Sequence, residues 1–198
     1  MGSSAAALVA GIFGANELLG RPLSQADMLK LATEMEGHPD NVAPALLGGL
    51  VVSVMNEGEI LSRRYEVPTL AAVIGKPDVD WPTRVARAVL PPAVSRADAI
   101  FNIGRTALVV DALRSGDLDL LRKAMDDRLH QPYRLERIPG GKAAFEAARR
   151  FGAAALSGAG PSILCFVESG QERHALTAIQ TAFEAAGVLA RGLVTRPS

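Results

Sequence analysis

The chain begins with an apolar stretch that has the composition of a helix rather than the alternation of a strand. An alanine-rich segment follows the run Gly2-Ser3-Ser4, and alanine is among the best helix formers. The two serines are suitable N-caps, so we predict a helix from this run to about Leu19, ended by Gly20. A second helix is predicted over residues 25–35, because Ser24 can cap it and apolar positions recur at helical spacing.

Extended segments are predicted after these two helices. Glycine and proline fall between residues 37 and 45, so we predict a loop there and a strand over residues 46–54. Residues 56–59 are typical of a hairpin turn, and the returning strand is predicted over residues 60–67. A third apolar strand is predicted over residues 70–74.

The middle of the chain is predicted to be helical. Thr83 is a suitable cap for a short helix that a pair of prolines ends. Apolar residues close to helical spacing, among them Ile100 and Ile103, predict a long helix over residues 96–113 with these side chains on its apolar face. Two further helices are predicted before residue 150.

Near the C-terminus the pattern changes to strand, strand, helix and strand. Apolar runs at residues 153–156 and 163–167 flank a glycine-rich turn at 157–162, and an amphipathic helix at 171–186 precedes a closing strand at 188–195. This order indicates part of a split β-α-β unit of the ferredoxin-like kind. Runs of helices followed by runs of strands favour an α+β sandwich over a parallel α/β sheet.

The composition excludes several classes of protein. The chain has 198 residues, enough for one or two domains, and its 48% hydrophobic and 21% charged residues exclude a disordered protein. Lysine and arginine number 21, as do aspartate and glutamate, so no overall basic field attracts nucleic acid or an anionic membrane.

Cys165 is the single cysteine and lies in an apolar run, which predicts a buried strand thiol. One cysteine forms no internal disulfide, so we expect a reducing, cytoplasmic location. The first helix contains Gly14 and Glu17 and follows no basic leader, so we predict neither a signal peptide nor a membrane span.

The run Gly2-Ser3-Ser4 is also a candidate anion site. A helix start leaves backbone N–H groups unpaired at the positive end of the helix dipole, and small residues let a phosphate approach closely. The alternative is a capped helix that binds nothing.

A second candidate site is the run from Glu36 to Asn41, which holds two carboxylates, an imidazole and an amide within six residues. Carboxylates beside a phosphate site suit Mg²⁺, which prefers hard oxygen ligands and usually keeps water and phosphate oxygens as well. The alternative is a polar loop in which Asp40 forms a turn.

The third candidate is the turn over residues 157–162, in which two glycines let the backbone wrap close to a ligand. The alternative is a tight hairpin with no ligand.

Together these stretches resemble the second and third signature motifs of the GHMP kinases, a family of ATP-dependent kinases of small molecules. The second motif, Gly-Leu-Gly-Ser-Ser-Ala-Ala, is matched from Gly2 onward, without its first two residues. Within the family the likeness is closest to the members that phosphorylate L-homoserine. Three runs carry it: Glu36-Gly37-His38-Pro39-Asp40-Asn41-Val42-Ala43-Pro44-Ala45, Thr83-Arg84-Val85-Ala86-Arg87-Ala88-Val89-Leu90-Pro91 and His130-Gln131-Pro132-Tyr133-Arg134.

The resemblance covers essentially the whole chain and implies a two-domain α+β sandwich of the GHMP kinase type. Residues 1–75 would be the last part of the ATP-binding N-terminal domain, and residues 76–198 the C-terminal domain with the ferredoxin-like part. The implied reaction is phosphorylation of the L-homoserine hydroxyl by ATP with Mg²⁺, a step towards threonine. A monomer and a homodimer are both open.

The resemblance also implies roles for individual residues by matched position. The ATP phosphates would bind at Gly2, Ser3, Ser4 and Ala5. Mg²⁺ would be held by Ser4 and Glu36.

The L-homoserine site follows from the same match. His38, Asp40 and Asn41 would line it, with Asn41 close to the reacting hydroxyl. Ser4, Asp40 and Asn41 are therefore the candidate catalytic residues. Asp40 has two open roles, since mevalonate kinase uses an aspartate as base whereas the L-homoserine kinases are thought to rely on transition-state stabilisation.

The substrate carboxylate would bind at Thr83, Arg87 and Arg134, and Gly158 and Gly160 would line the pocket. An amino-acid carboxylate suits arginine, whose planar fork forms paired, charge-assisted hydrogen bonds. The alternative for both arginines is a surface salt bridge.

Two rival functions stay open. One is another small-alcohol kinase of the family, such as mevalonate kinase, and the other is a non-catalytic, truncated remnant. The family's N-terminal segment and first motif have no counterpart here, so we expect residues 1–198 alone to be inactive and poorly stable, with Val51, Val54 and Leu70 exposed to water.

Overall fold

The computed structural model describes residues 2–68 and 70–196, which form two compact units. The first unit comprises residues 2–67 and the second comprises residues 68–196. The domain boundary expected near residue 75 belongs to the family resemblance and stays a prediction.

The first unit packs three helices on a hairpin. Its elements are α1 (Ser3–Leu18), α2 (Gln25–Glu36), α3 (Pro39–Leu47), β1 (Leu50–Asn56) and β2 (Glu59–Tyr65). Ser24 caps α2, as the sequence predicts, and the structure adds a reciprocal capping box with Asp27. The hairpin pairs antiparallel from Leu50 opposite Tyr65 to Asn56 opposite Glu59, which confirms the predicted turn. Small and apolar side chains of the three helices form the core: Ala5, Val9, Leu29, Ala32, Val42 and Ala43.

Helix α3 corrects the sequence prediction, which gave a loop followed by a strand from residue 46. Pro39 occupies the first turn, where its missing N–H costs nothing, and His38 precedes it in an extended conformation. Pro44 lies inside the helix and would normally disfavour it. The full burial of Val42 and Ala43 against the neighbouring helices offsets this cost, and burial of that kind is invisible to local propensity.

The second unit is built on a four-stranded antiparallel sheet with strand order β4-β5-β3-β6. Its elements are β3 (Ala71–Pro77), α4 (Thr83–Ala88), α5 (Arg96–Ser115), α6 (Leu118–Ala124), α7 (Gln131–Leu135), α8 (Gly141–Arg149), β4 (Gly152–Leu156), β5 (Ile163–Val167), α9 (Glu172–Glu184) and β6 (Ala190–Thr195). Counted from β3, the sheet runs second, third, first, fourth strand, which is the order of a complete ferredoxin-like β-α-β-β-α-β unit. The predicted ferredoxin-like part is therefore confirmed.

Alternate residues of the strands contribute to two separate hydrophobic cores, because successive side chains of a strand point to opposite faces of the sheet. On one face Val73 and Cys165 pack among residues of α8 and α9, including Phe183. On the other face Ala72 and Phe166 pack with Leu121 of α6 and with α5. The sheet is thus covered by helices on both faces.

Three smaller expectations for this unit are wrong. Pro82, not Thr83, is the N-cap of α4. Ile100 and Ile103 are 61% and 72% exposed, because α5 packs through Ala112 and its neighbours near the C-terminal end instead. Leu70 is buried in the core beside Phe166, whereas Val54 of the first unit is exposed as expected.

Cys165 is fully buried in β5, as the apolar run around it predicts. Burial raises the pKa of its thiol to about 12, so the sulfur stays protonated and unreactive. Within the described residues, none of the helices combines the length and the apolar character that a bilayer crossing requires.

Candidate functional site

Helix α1 begins at a backbone position that only glycine adopts easily. Gly2 is the N-cap with φ 61° and ψ 28°, in the left-handed region, and its carbonyl accepts the first helical hydrogen bond from the Ala6 N–H at 2.9 Å. The serines were predicted to cap this helix, but no side chain caps it and its first turn holds no acidic residue. The four leading N–H groups, of Gly2, Ser3, Ser4 and Ala5, therefore lie beyond the reach of the helix's own carbonyls.

Gly2 also lies against the start of α3. A Cβ added to it would lie 3.2 Å from Asn41 Oδ1 and 3.7 Å from Asn41 Cβ. The close approach and the positive φ together disfavour larger residues at this position. Asn41, distant in sequence, is thereby placed beside the open end of α1.

Ser4 and Glu36 place two oxygen atoms that could bind a metal ion beside the start of α1. The Ser4 hydroxyl donates to Glu36 Oε1 over 2.8 Å, joining the first turn of α1 to the last residue of α2. In the part of the chain that the structure describes, no three His, Cys, Asp or Glu side chains cluster as a metal site. A hydroxyl and a carboxylate oxygen fit Mg²⁺, which takes its remaining ligands from water and phosphate.

Three polar side chains predicted to line the substrate site sit together at the start of α3. The Asp40 carboxylate lies between two of them: Oδ1 pairs with His38 Nδ1 and accepts a long hydrogen bond of 3.5 Å from the Asn41 amide. The Asp40 side chain is 67% exposed, so it is accessible to a ligand. The first unit thus brings together Gly2, Ser4, Glu36, His38, Asp40 and Asn41.

In the second unit, Arg134 on α7 is anchored by backbone carbonyls from two other segments. Its Nε donates to Ala86 O over 3.1 Å, and its Nη1 donates to Gly158 O over 3.2 Å. Burial lowers the pKa of the Arg134 guanidinium; the positive charge of Arg87 adds to this effect and Asp127 opposes it. The group remains a cation at neutral pH, because arginine titrates far above it.

Arg87 lies near Arg134, close enough to influence its pKa, and its own side chain is exposed. Among the described residues, neither guanidinium forms an ion pair with a carboxylate, so the surface salt bridges that were the alternative are absent. Thr83 is exposed on the same short helix, one turn before Arg87. As far as the structure describes it, the second unit therefore presents two arginines that form no ion pair with a carboxylate.

The glycine-rich turn between β4 and β5 is held from two sides. Arg134 binds the carbonyl of Gly158, and the indole N–H of Trp81 donates to Ala159 O over 2.8 Å. Gly158 and Gly160 have φ of 58° and 86°, and a Cβ at Gly160 would lie 3.1 Å from Leu156 Cδ1. The conformation of the turn therefore depends on glycine at both positions. Gly158 contacts Arg134 through its carbonyl, and Gly160 packs close to Leu156.

The sequence interpretation missed the residues that support Arg134. Asp127 Oδ2 accepts the backbone N–H groups of His130 at 2.8 Å and Gln131 at 2.6 Å, and Oδ1 accepts Asn102 Nδ2 at 2.6 Å. Burial opposes ionisation of Asp127, but these hydrogen bonds outweigh it and lower the pKa of the carboxyl. The buried Gln131 in turn accepts the Leu156 N–H at 2.6 Å, which ties α7 to β4. An acidic residue just before a proline-containing helix start was the available signal.

Comparison with known proteins places both units in one family. The model of the GHMP kinases N terminal domain matches residues 1–49, and that of the GHMP kinases C terminal matches residues 109–186. A homoserine kinase of Moorella thermoacetica is 49% identical over 191 residues, which cover 95% of this chain and 64% of that protein.

Solved structures give the same result. A homoserine kinase from Cytophaga hutchinsonii superposes with a TM-score of 0.89 at 32% identity, covering 100% of this chain and 65% of the other. A protein assigned as a homoserine kinase, from Listeria monocytogenes, has a TM-score of 0.74 at 31% identity, covering 100% of this chain and 68% of the other. A mevalonate kinase structure is only 19% identical, which shows a shared fold and nothing about substrate. The chain spans about two thirds of the length of these relatives.

Proposed function

Since the chain belongs to the GHMP kinase family, we propose that it serves the transfer of the γ-phosphoryl group of ATP to the side-chain hydroxyl of L-homoserine. The product is O-phospho-L-homoserine, which leads towards threonine. The observation that carries the proposal is the assembly of Gly2 and Ser4 with Glu36 and Asn41 at one helix end, although Ser4 and Glu36 are 32 residues apart in the sequence. A cytoplasmic location, favoured by the single buried cysteine, is part of this proposal.

The N-terminus of α1 would bind the ATP phosphates. Free N–H groups of Gly2, Ser3, Ser4 and Ala5 point out of a helix whose first turn carries no acidic side chain to neutralise the dipole. Both properties favour an anion, and the absence of a Cβ at Gly2 lets it come close. Phosphoryl transfer needs charge neutralisation and positioning more than covalent help, and this site supplies both.

Ser4 and Glu36 would hold the magnesium ion. Glu36 is the last residue of α2, where the negative end of the helix dipole disfavours a carboxylate. Its position is therefore explained better by ligand binding than by helix stability. When bound, Mg²⁺ neutralises charge that develops on the transferred phosphoryl group.

The start of α3 would receive the reacting end of the substrate. Asn41, beside Gly2, has an amide that can hydrogen-bond the L-homoserine hydroxyl and orient it. The exposed Asp40 carboxylate complements the substrate ammonium group or accepts the hydroxyl proton. His38 pairs with Asp40 and orients it in either role.

The arginines of the second unit would bind the substrate carboxylate. Arg87 and Arg134 form no ion pair with a carboxylate of the described residues, and Thr83 adds a hydroxyl donor on the same helix as Arg87. Gly158 and Gly160 shape the turn that Arg134 holds. A carboxylate between two guanidiniums gains charge-assisted hydrogen bonds, which is the recognition that an amino-acid substrate requires.

The rival substrate is tested by comparing acceptors. We expect ATP turnover with L-homoserine to exceed turnover with mevalonate, galactose and shikimate, because mevalonate and shikimate lack the ammonium group and galactose lacks both the ammonium group and the carboxylate. A coupled ADP assay on the longest natural form of the protein measures this directly. Turnover of mevalonate equal to that of L-homoserine would show the substrate assignment to be wrong, and absence of any turnover would favour a non-catalytic remnant.

The metal role of Glu36 has its own test. Glu36→Gln keeps the size of the side chain and a carbonyl acceptor for Ser4 but removes the charge. We expect kcat to fall about tenfold or more and the Mg²⁺ concentration for half-maximal activity to rise, with the KM for L-homoserine little changed. Glu34→Gln, an exposed carboxylate on the same helix, is the matched control. An unchanged Mg²⁺ dependence would contradict the metal role.

A further inference from the structure

His130 is a half-buried imidazole that the proposed reaction leaves without a role. It lies between a buried carboxylate and Arg134: its Nδ1 is 3.3 Å from Arg134 Nη1, and its Nε2 is 3.8 Å from Asp127 Oδ1. The Asp127 side chain is only 8% exposed. The three groups form a continuous row in which the imidazole joins the carboxylate to the guanidinium.

The chemistry of the two neighbours fixes the tautomer of the imidazole. A guanidinium has only donors, so the ring nitrogen that faces Arg134 has to be an acceptor. Nδ1 therefore carries the lone pair and Nε2 carries the proton. The Nε2–H then faces the Asp127 carboxylate, which is the favourable orientation for both ends of the ring.

We propose that Asp127 and His130 are a positioning pair that holds the Arg134 guanidinium, through the neutral Nε2–H tautomer of His130, in the orientation that receives the substrate carboxylate. Asp127 acts twice. It fixes the backbone of the α7 start through the His130 and Gln131 N–H groups, and its charge selects the tautomer of the ring. The role in substrate binding rests on the proposed function, whereas the tautomer of His130 and its contact with Arg134 do not.

The charges around the ring agree with a neutral imidazole. Burial lowers the pKa of His130, the Arg134 charge lowers it further, and the Asp127 charge opposes both. Arg105 of α5 and Asp126 are the other charged residues that line the cavity beside His130 and Asp127. A protonated ring would direct an Nδ1–H at a guanidinium, losing the acceptor and placing two cations in contact.

Imidazole ¹⁵N chemical shifts report the tautomer without any assay of function. The chain has three histidines, so the His130 signals are identified as those that disappear in His130→Asn. At pH 7 we expect an Nε2–H, Nδ1-acceptor pattern and a pKa below the ordinary histidine value of about 6.5. Arg134→Gln removes the neighbouring charge and should raise this pKa.

Two results would overturn the positioning pair. One is an Nδ1–H tautomer at neutral pH, because such a ring offers Arg134 no acceptor. The other is a His130 pKa that stays the same in Arg134→Gln, because the two groups would then not be in contact. Both measurements use a folded protein and need no variant of Asp127, whose hydrogen bonds to the start of α7 make it a risky position to replace.

The affinity for L-homoserine tests whether His130 matters for substrate binding. His130→Leu removes the acceptor, whereas the asparagine of His130→Asn places an oxygen close to the position of Nδ1. By calorimetry on the longest natural form, we expect His130→Leu to weaken L-homoserine binding about tenfold, and His130→Asn to stay within about threefold of the parent. His174→Leu, an exposed histidine on α9, is the control and should bind normally.

The two hypotheses fail in different ways. If the parent protein binds no L-homoserine while the ¹⁵N shifts report the Nε2–H tautomer, the proposed function is wrong and the contact between His130 and Arg134 is right. If the parent binds L-homoserine and His130→Leu binds it within twofold, the positioning pair is wrong and the proposed function is unaffected.

Discussion

Replacement of Arg134 by alanine is expected to raise the KM for L-homoserine about thirty- to a hundred-fold while kcat changes little. The guanidinium has no acidic partner among the described residues, and its Nε and Nη1 are held by the carbonyls of Ala86 and Gly158. The fork is therefore fixed before a ligand arrives, and removing it leaves the substrate carboxylate without its charged donor. Steady-state kinetics at saturating ATP measure the effect.

Two further variants show whether the effect of Arg134→Ala comes from the lost guanidinium or from a disturbed fold. Arg137→Ala removes an exposed arginine three residues further along the chain and should leave the KM unchanged. Arg134→Lys keeps the charge but not the planar fork, so its KM should lie between those of the parent and Arg134→Ala. Thermal melts establish that each variant is folded, because Arg134 also bridges α4 and the glycine turn. A KM for Arg134→Ala within twofold of the parent would contradict the carboxylate role.

Replacement of Gly152 by alanine is expected to destabilise the second unit by about 3 kcal/mol and to lower its Tm by roughly 10 °C. A Cβ at Gly152 would lie 1.9 Å from the Phe166 carbonyl oxygen and 3.0 Å from Cys165 Sγ. The clashing oxygen belongs to the backbone of β5, which is paired with β3 on its other side and has no room to retreat. The loss compares with a total stability of about 5–15 kcal/mol for an ordinary domain.

The matched control is another glycine-to-alanine change in the same unit. Gly104 lies inside α5, and a Cβ there meets no atom within 4 Å. Gly104→Ala should therefore raise stability by about 0.5–1 kcal/mol, because alanine is the better helix former. Thermal and urea denaturation of both variants give the comparison. Equal melting temperatures for Gly152→Ala and the parent would show that β4 and β5 tolerate separation.

Much of the fold could be predicted from the sequence because its signals are local. Ser24 marks the start of α2, and Gly58 marks the turn of the hairpin, where its φ is 86°. The strand, strand, helix, strand pattern at the C-terminus predicted a ferredoxin-like unit, and the sheet order confirms it. At the helix cap and at the hairpin turn, neighbouring residues alone decide the backbone conformation.

The sequence also predicted the polar composition of the candidate site, because the run from Glu36 to Asn41 concentrates carboxylate, imidazole and amide groups within six residues. It did not predict α3, in which the burial of Val42 and Ala43 outweighs an unfavourable Pro44. Helix propensity describes a residue in water, and both of these apolar residues are completely removed from it.

Only the tertiary structure decided which side chains meet. Ser4 and Glu36 are 32 residues apart, Arg134 and Ala86 are 48 apart, and Trp81 and Ala159 are 78 apart. The sequence determined the kinds of groups that are present and the elements that carry them. Their partners, the cap at Gly2 and the row from Asp127 through His130 to Arg134 depend on distances across the folded chain, which no local pattern encodes.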